Sequence, residues 1–380
     1  MRSERLTPGD LVGCRYRQVQ RLRFPGIGPL EASVQRKARR DAGVAEVYSR
    51  LPIPPKKRGR VPFERLDLDP DEELAEFHTL EAIAAGANLI TGAVFAGEWD
   101  GVAWETVADI LVRNPDGTYL PVMVSNHRVA RPSPHGQMQA IATARLGLGA
   151  AVPVKANLRH HTIDGYRLAL AIRGLEEAGA VGVDKHGAVI GQDRDRAYLL
   201  DVTRYAPAAE RALLAPPPTG PRRVKECANC RFWGECEPEL QRVDEISLFL
   251  PGDRAAPYRE RGIATTQALI DAHLGDISHI AAAWRAGIPV LRRTPTTTAP
   301  RFDVEIDVDV EAYLDLGAYL WGAYDGEDYT PFIIWDGLGE NPEGENFAQF
   351  WRWLMARRDK AKQHGQSFAA FCYSSNGENH

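Results

Sequence analysis

The stretch ANLITGAVFAGEWDGVAWETVADILVR (residues 87–113), followed by NPDG (114–117) and TYLPVMVSNHRV (118–129), decides how this chain folds. Its short apolar runs, punctuated by Gly and Asp-Gly, read as successive strands joined by hairpins. Just upstream, PDEELAEFHTLEAIAAG (70–86) carries acids in its first turns, apolar residues at helical spacing and a closing glycine, the start and stop signals of a helix that contains His78. A helix-strand-strand-strand order follows. If Pro115-Asp116-Gly117 makes the turn, Asp109 lies opposite residues near Ser125. Asn126 and Arg128 then share one strand face, and His127 takes the other, where packing or phosphate contact is its expected role.

Outward from this stretch, residues 4–23 read as a helix carrying Cys14, and 25–64, polar and basic with LPIPPKKRGRVP at 51–62, as an extended, mobile connection. GYRLALAIRGLEEAG (165–179) has helical periodicity, and RAYLLDVTRY (196–205) reads as a strand. After Ala215-Pro216-Pro217-Pro218 comes ECANCRFWGECEPEL (226–240), too short for a core of its own. Residues 244–275 read as two short helices around a turn at Arg261-Gly262-Ile263, and TPTTTAP (294–300) as a linker. Three strand-like runs follow (300–310, 312–324, 331–338), then a helix over 346–365 and a strand over 367–374. The expected class is therefore α/β, in three parts: 1–240, a helical connector 241–298, and 299–380.

At 380 residues the chain exceeds one hydrophobic core, and 44% apolar content supports globular packing. There is no run of eighteen apolar residues and no secretory leader pattern in MRSERLTPGD, so a cytoplasmic protein without a membrane partner is the expectation. The formal net charge of −5 gives no global attraction to phosphate. Basic runs at Arg36-Lys37-Ala38-Arg39-Arg40, Lys56-Lys57-Arg58-Gly59-Arg60 and Arg222-Arg223-Val224-Lys225 read either as backbone-phosphate contacts or as solvated faces balanced by nearby acids. Arg113, Tyr166 and Arg167 are further candidates for phosphate contact.

Five cysteines, three within ten residues, are not a disulfide framework; clustered thiols in a reducing compartment more often ligate metal. Cys227-x2-Cys230-x5-Cys236 supplies three thiolates, and Cys14 or Cys372 a fourth. An iron-sulfur cluster takes cysteine thiolates four at a time. The same residues also read as a zinc knuckle of three cysteines and a histidine, or as a structural zinc on four sulfurs. Cys372, in an apolar strand run, reads as a buried small hydrophobe.

An early cysteine in LVGCRYRQ (11–18) joined to a late Cys-x2-Cys-x5-Cys resembles the RecB-family nucleases with an iron staple, among them the CRISPR-associated adaptation nucleases. The resemblance covers most of residues 5–240. It implies a restriction-endonuclease-like core and a structural [4Fe-4S] cluster on Cys14, Cys227, Cys230 and Cys236. Such a staple closes a loop of over two hundred residues, a contribution of several kcal/mol by chain entropy. It also implies a metal-dependent phosphodiesterase site: an Asp strand, an Asp/Glu-x-Lys strand, and a histidine on the preceding helix. Asp109 and His78 match, with Asp109 the implied ligand of Mg²⁺ or Mn²⁺. Asn126 stands at the Asp/Glu position and Arg128 at the Lys position. Asn offers only a neutral carbonyl, and Arg cannot serve as a tunable point charge.

Beyond the linker, Asp303 and Glu305 in FDVE (302–305) resemble the Asp-x-Glu that binds two metals on the first strand of a DEDD-type RNase H-like exonuclease domain. Alternation places both on one face, although Asp307 and Asp309 continue the pattern as surface acids do. Asn376 and Glu378 stand where the second acidic motif begins, and the remaining acids are expected beyond His380, so the domain is expected to be incomplete. The helices of 244–275 resemble a helix-hairpin-helix, with a plain helical linker the alternative. These resemblances imply a nuclease-family protein acting on nucleic acid, DNA before RNA, with an altered catalytic motif. The alternatives are a non-catalytic nucleic-acid-binding or scaffold protein that keeps the cluster, and a zinc-stabilised interaction protein.

Overall fold

The computed structural model describes residues 5–54, 63–292, 300–313 and 317–372. They divide into two compact units, 1–291 and 292–380.

The first unit opens with two short helices, α1 (Pro8–Leu11) and α2 (Tyr16–Arg23). The single helix expected over 4–23 is broken between them, where Gly13 takes φ +72° and Cys14 lies in the break. A left-handed glycine cannot continue an α-helix. The expected extended connection is also corrected, because Glu31–Arg50 forms a long helix, α3. Val44, Val47, Tyr48 and Leu51, spaced three and four apart, pack on the sheet. That narrow stripe is easily hidden among charged residues. The Lys56–Arg60 run and all but the last residue of TPTTTAP lie outside the described residues.

Strand β1 (Arg65–Asp67) and helix α4 (Ala75–Ala85) precede the expected hairpins β2 (Leu89–Trp99), β3 (Val102–Arg113) and β4 (Tyr119–Val124). The Asn114–Thr118 turn sets the register Arg113↔Tyr119 to Ile110↔Val122. β5 (Ala130–Pro132), β6 (Met138–Ala142), β7 (Val152–Val154) and β8 (Ala156–Leu158) follow; then come helix α5 (Thr162–Glu177) and strands β9 (His186–Ile190) and β10 (Arg196–Asp201). The resulting mixed sheet has the order β1-β2-β3-β4-β9-β10-β6-β7, with β4 and β9 parallel. One face buries Leu168, Ala171 and Leu175 of α5 against Phe95, Leu111 and Met123. The other buries Val47 and Leu51 of α3 against Ile110, Val122 and Val124. β4 is covered on both faces and accordingly reads as a continuous apolar run.

After α6 (Ala206–Leu214) the chain returns to the N-terminal segment and forms α7 (Trp233–Arg242). Helices α8 (Ala256–Arg259) and α9 (Thr266–Asp271) flank the expected turn, where Gly262 has φ +79°. A third helix, α10 (Asp276–Arg285), completes their small core around Ile246, Leu269 and Ala281.

The second unit has strands β11 (Val304–Tyr313), β12 (Gly317–Tyr324) and β13 (Tyr329–Ile333), helix α11 (Asn341–Gln363) and strand β14 (Phe368–Cys372). Their order is β13-β12-β11-β14, with β11 parallel to β14. Ile306 and Val308 alternate inward to meet Phe350 and Leu354 of α11. No helix among the described residues is long and apolar enough to cross a membrane.

Candidate functional site

Asp109 lies on β3 where Gly92 of β2 adopts φ +67°. A Cβ at Gly92 would overlap the Leu68 carbonyl oxygen, so the close approach there requires glycine. The carboxylate is 3% exposed. Its Oδ1 accepts from Arg40 Nη2 of α3 at 2.7 Å, and its Oδ2 accepts from Arg167 Nη2 of α5 at 2.9 Å and from the Val124 backbone N–H at 2.7 Å. The Tyr48 hydroxyl donates to the Asp109 carbonyl oxygen at 2.7 Å. Burial first, and then the Asp109 charge, push the Tyr48 phenol well above its ordinary value. The register Ile110↔Val122 brings Asp109 beside the end of β4, near Ser125 as expected, where it accepts the Val124 N–H.

The ending of β4 at Val124 moves the other expected site residues. Asn126, His127 and Arg128 lie beyond β4 in an irregular segment, so the shared strand face for Asn126 and Arg128 does not form. Arg128 is exposed. Asn126 Oδ1 accepts from Arg194 Nη2 at 2.9 Å, while Arg194 Nη1 donates to the carbonyls of Ser125 (2.6 Å) and Gly191 (3.1 Å). His127 stacks on His161, ring centroids 4.1 Å apart. His78 Nδ1 lies 3.2 Å from Glu72, a contact within its own segment. Arg40 and Arg194 were the residues hardest to foresee. One sat in a run that read as a solvated face, and the other in a turn with no motif.

A divalent cation does not fit this centre. An ionised carboxylate offers about four lone-pair positions, and three here are occupied by donors, two of them cationic. Mg²⁺ bound at about 2.1 Å from either oxygen would stand within roughly 5 Å of a guanidinium nitrogen. The neutral Asn126 adds no compensating charge.

The cysteines behave differently. Cys14, Cys227, Cys230 and Cys236 line one small cavity, closed by Gln20 and Phe232. The N-terminal segment is held there independently: Leu6 bridges β3 through Leu6 N–H to Ala103 O and Glu105 N–H to Leu6 O, both 2.9 Å, and Arg15 Nη2 donates to Ala215 O at 2.6 Å. Gln20 Nε2 donates to Cys236 Sγ at 3.2 Å, and the Val224 N–H reaches Cys227 Sγ at 3.4 Å. Burial raises the Cys14 and Cys236 thiols and pushes Cys227 up to about 11, with the other three thiols adding to the Cys227 shift. Thiols so placed stay protonated until a cationic group displaces the proton. The four-sulfur donor set, with the Arg17 charge beside Cys14 to help balance anionic thiolates, suits an iron-sulfur cluster. Cys372, expected to be buried, is exposed at the end of β14.

In the second unit β11 begins at Val304, so Asp303 lies one residue before the strand and Glu305 within it. Asp303 Oδ2 accepts from the Ser367 N–H (2.8 Å) and hydroxyl (2.6 Å). Glu305 Oε1 accepts from the Phe302 N–H at 2.8 Å, and its Oε2 pairs with Arg301 at 3.0 Å. Asn376 and Glu378 lie outside the described residues.

No protein-family model and no curated protein matches the chain. A solved structure described as "Crystal structure of SSO0001" is similar at 16% identity over 62% of this chain and 86% of that one, with a TM-score of 0.25. A likeness that weak carries no functional information about this chain.

Proposed function

We propose that this chain is a nucleic-acid-binding protein on a RecB-like nuclease scaffold, in which Cys14, Cys227, Cys230 and Cys236 hold a structural [4Fe-4S] cluster and Asp109 does not support hydrolysis. The observation that carries the reading is the meeting of Cys14 with a cysteine segment more than two hundred residues later. When bound, the cluster supplies a cross-link; the protein's residues supply buried thiols, charge balance from Arg17, and a hydrogen bond from Gln20 to Cys236. Basic side chains on α3 and at Arg222 and Lys225 offer phosphate contacts, so binding is expected to weaken with salt.

Anaerobically purified protein should be brown, with about four irons per chain, and should bind DNA in a salt-dependent manner. A colourless protein containing one zinc would overturn the cluster. Cleavage in Mg²⁺ or Mn²⁺ that disappears in Asp109→Asn would restore the Asp109 centre as an active site.

The β13-β12-β11-β14 order, with helix α11 before a parallel β14, favours a second reading for residues 299–380: the opening half of an RNase H-like domain. In that reading Asp303 and Glu305 release Ser367 and Arg301 to bind metal. Cleavage lost on Asp303→Asn but retained in Asp109→Asn would place hydrolysis there.

A further inference from the structure

We infer that the Asp109 centre is a docking socket for α3 and not a cation site: the guanidinium groups of Arg40 and Arg167 occupy the Asp109 carboxylate, and that of Arg194 lies against Gly43 of the same helix. The inference stands on the geometry of residues 40–48, 109, 126, 167 and 194, independently of whether the cysteines hold a cluster.

Three contacts anchor one helix, two of them on Asp109 and one on Arg194. Arg40 binds the Asp109 carboxylate and Tyr48 binds the Asp109 carbonyl, so α3 grips both the side chain and the main chain of a single residue. One turn along α3 from Arg40, Gly43 lies directly against the Arg194 guanidinium; a Cβ at position 43 would overlap it. Arg194 is itself 8% exposed and spends its donors on Ser125, Gly191 and Asn126. From the opposite sheet face, Arg167 of α5 reaches Asp109 and also donates to the Val107 carbonyl at 3.1 Å.

Arg40, Gly43, Val47 and Leu51 fall at intervals of three and four, so they share one side of α3. Its C-terminal half presents Val47 and Leu51 to an apolar sheet face. Its N-terminal half instead presents Arg40 over the buried carboxylate. Apolar packing alone would let a helix slide or rotate. A buried carboxylate, a backbone carbonyl and a guanidinium against glycine give the docking one register, in the manner of the polar groups that fix helix register elsewhere. Asp109 is therefore a positioning residue, acting through the arginines it holds.

The test uses the full-length, anaerobically purified protein. Mn²⁺ binding is followed by electron paramagnetic resonance, and unfolding by urea is followed with and without Mg²⁺. Asp109→Asn should leave the Mn²⁺ stoichiometry unchanged while raising the unfolding constant more than about 100-fold, as expected when the buried member of an ion-pair triad is neutralised and the arginines it holds lose their partner. The triple variant Arg40→Met, Asp109→Leu, Arg167→Met, which removes all three charges together, should recover most of that loss, to within about tenfold of wild type. The triple variant is read against wild type even if Asp109→Asn does not fold. Loss of one Mn²⁺ equivalent in Asp109→Asn, protection of wild type by Mg²⁺ that Asp109→Asn lacks, or a triple variant further than about 100-fold from wild type would each overturn the inference.

Discussion

Asn126→Asp places a carboxylate where Arg194 now donates to a neutral amide oxygen at 2.9 Å. The hydrogen bonds of this deeply buried guanidinium at Ser125, Gly191 and Asn126 all go to uncharged acceptors. A hydrogen bond between neutral groups contributes about 0.5–1.5 kcal/mol and one involving a charged group about 1.5–3 kcal/mol. Because Arg194 is already charged, the further gain from ionising its acceptor is smaller. Part of it is offset by desolvating the new acid at a half-buried position, and about 1 kcal/mol of added stability remains at pH 7. Pairing holds the new carboxyl below its ordinary value of about 3.9 in the folded state, so the gain is present above that pH and fades as pH falls through the folded value. Urea unfolding of wild type and variant between pH 7 and pH 3 measures both size and slope. The cycle with Arg194→Met isolates the pair. A destabilised variant, or a gain that persists in the Arg194→Met background, would refute the reasoning.

Cys14→Ser should lose iron and visible absorbance and destabilise the first unit by about 2–4 kcal/mol in anaerobic urea unfolding. Chain entropy for a loop of over two hundred residues alone gives about 5 kcal/mol, but Leu6 and Arg15 keep residue 14 near its partners. Gly92→Ala should cost at least about 2 kcal/mol in the same assay, through the φ of +67° and the Leu68 carbonyl that a Cβ would meet. Burial and then the neighbouring His127 hold the His161 imidazole below its ordinary value. The unfolded chain therefore binds the extra proton more readily. Stability falls as pH drops below about 6.5, and His161→Gln should flatten that slope in a pH series of thermal melts.

The parts of this fold legible in the sequence are those dictated by local periodicity. Alternation and the Asn114–Gly117 turn specified β2, β3 and β4, while helical spacing closed by Gly86 specified α4, which starts only at Ala75 and leaves Asp71, Glu72 and Glu73 outside it. The α3 helix was hidden because its buried stripe is only four residues in an otherwise charged stretch. Spacing grouped Cys227, Cys230 and Cys236, and the family resemblance chose Cys14 over Cys372 as the fourth thiol of the cavity. The sequence singled out Asp109, which the fold buries, yet nothing in the local pattern around Arg40 or Arg194 announced that each would turn inward. Their partners lie 69 and 68 residues away, and only the packed sheet brings them together. The face shared by Asn126 and Arg128 failed for a related reason: β4 stops at Val124, where Asp109 accepts its N–H.

The distance along the chain between Cys14 and Cys236 also sets an order of events during synthesis. At about 5–20 residues per second, roughly ten to forty seconds pass between the first thiol and the last. The whole sheet from β1 to β10 is made in that interval, so its strands can pair before the fourth sulfur exists. The nascent protein therefore carries Cys14 as a lone thiol while the sheet folds. An oxidant present then can reach it on a half-made chain more readily than in the finished, sulfur-lined cavity.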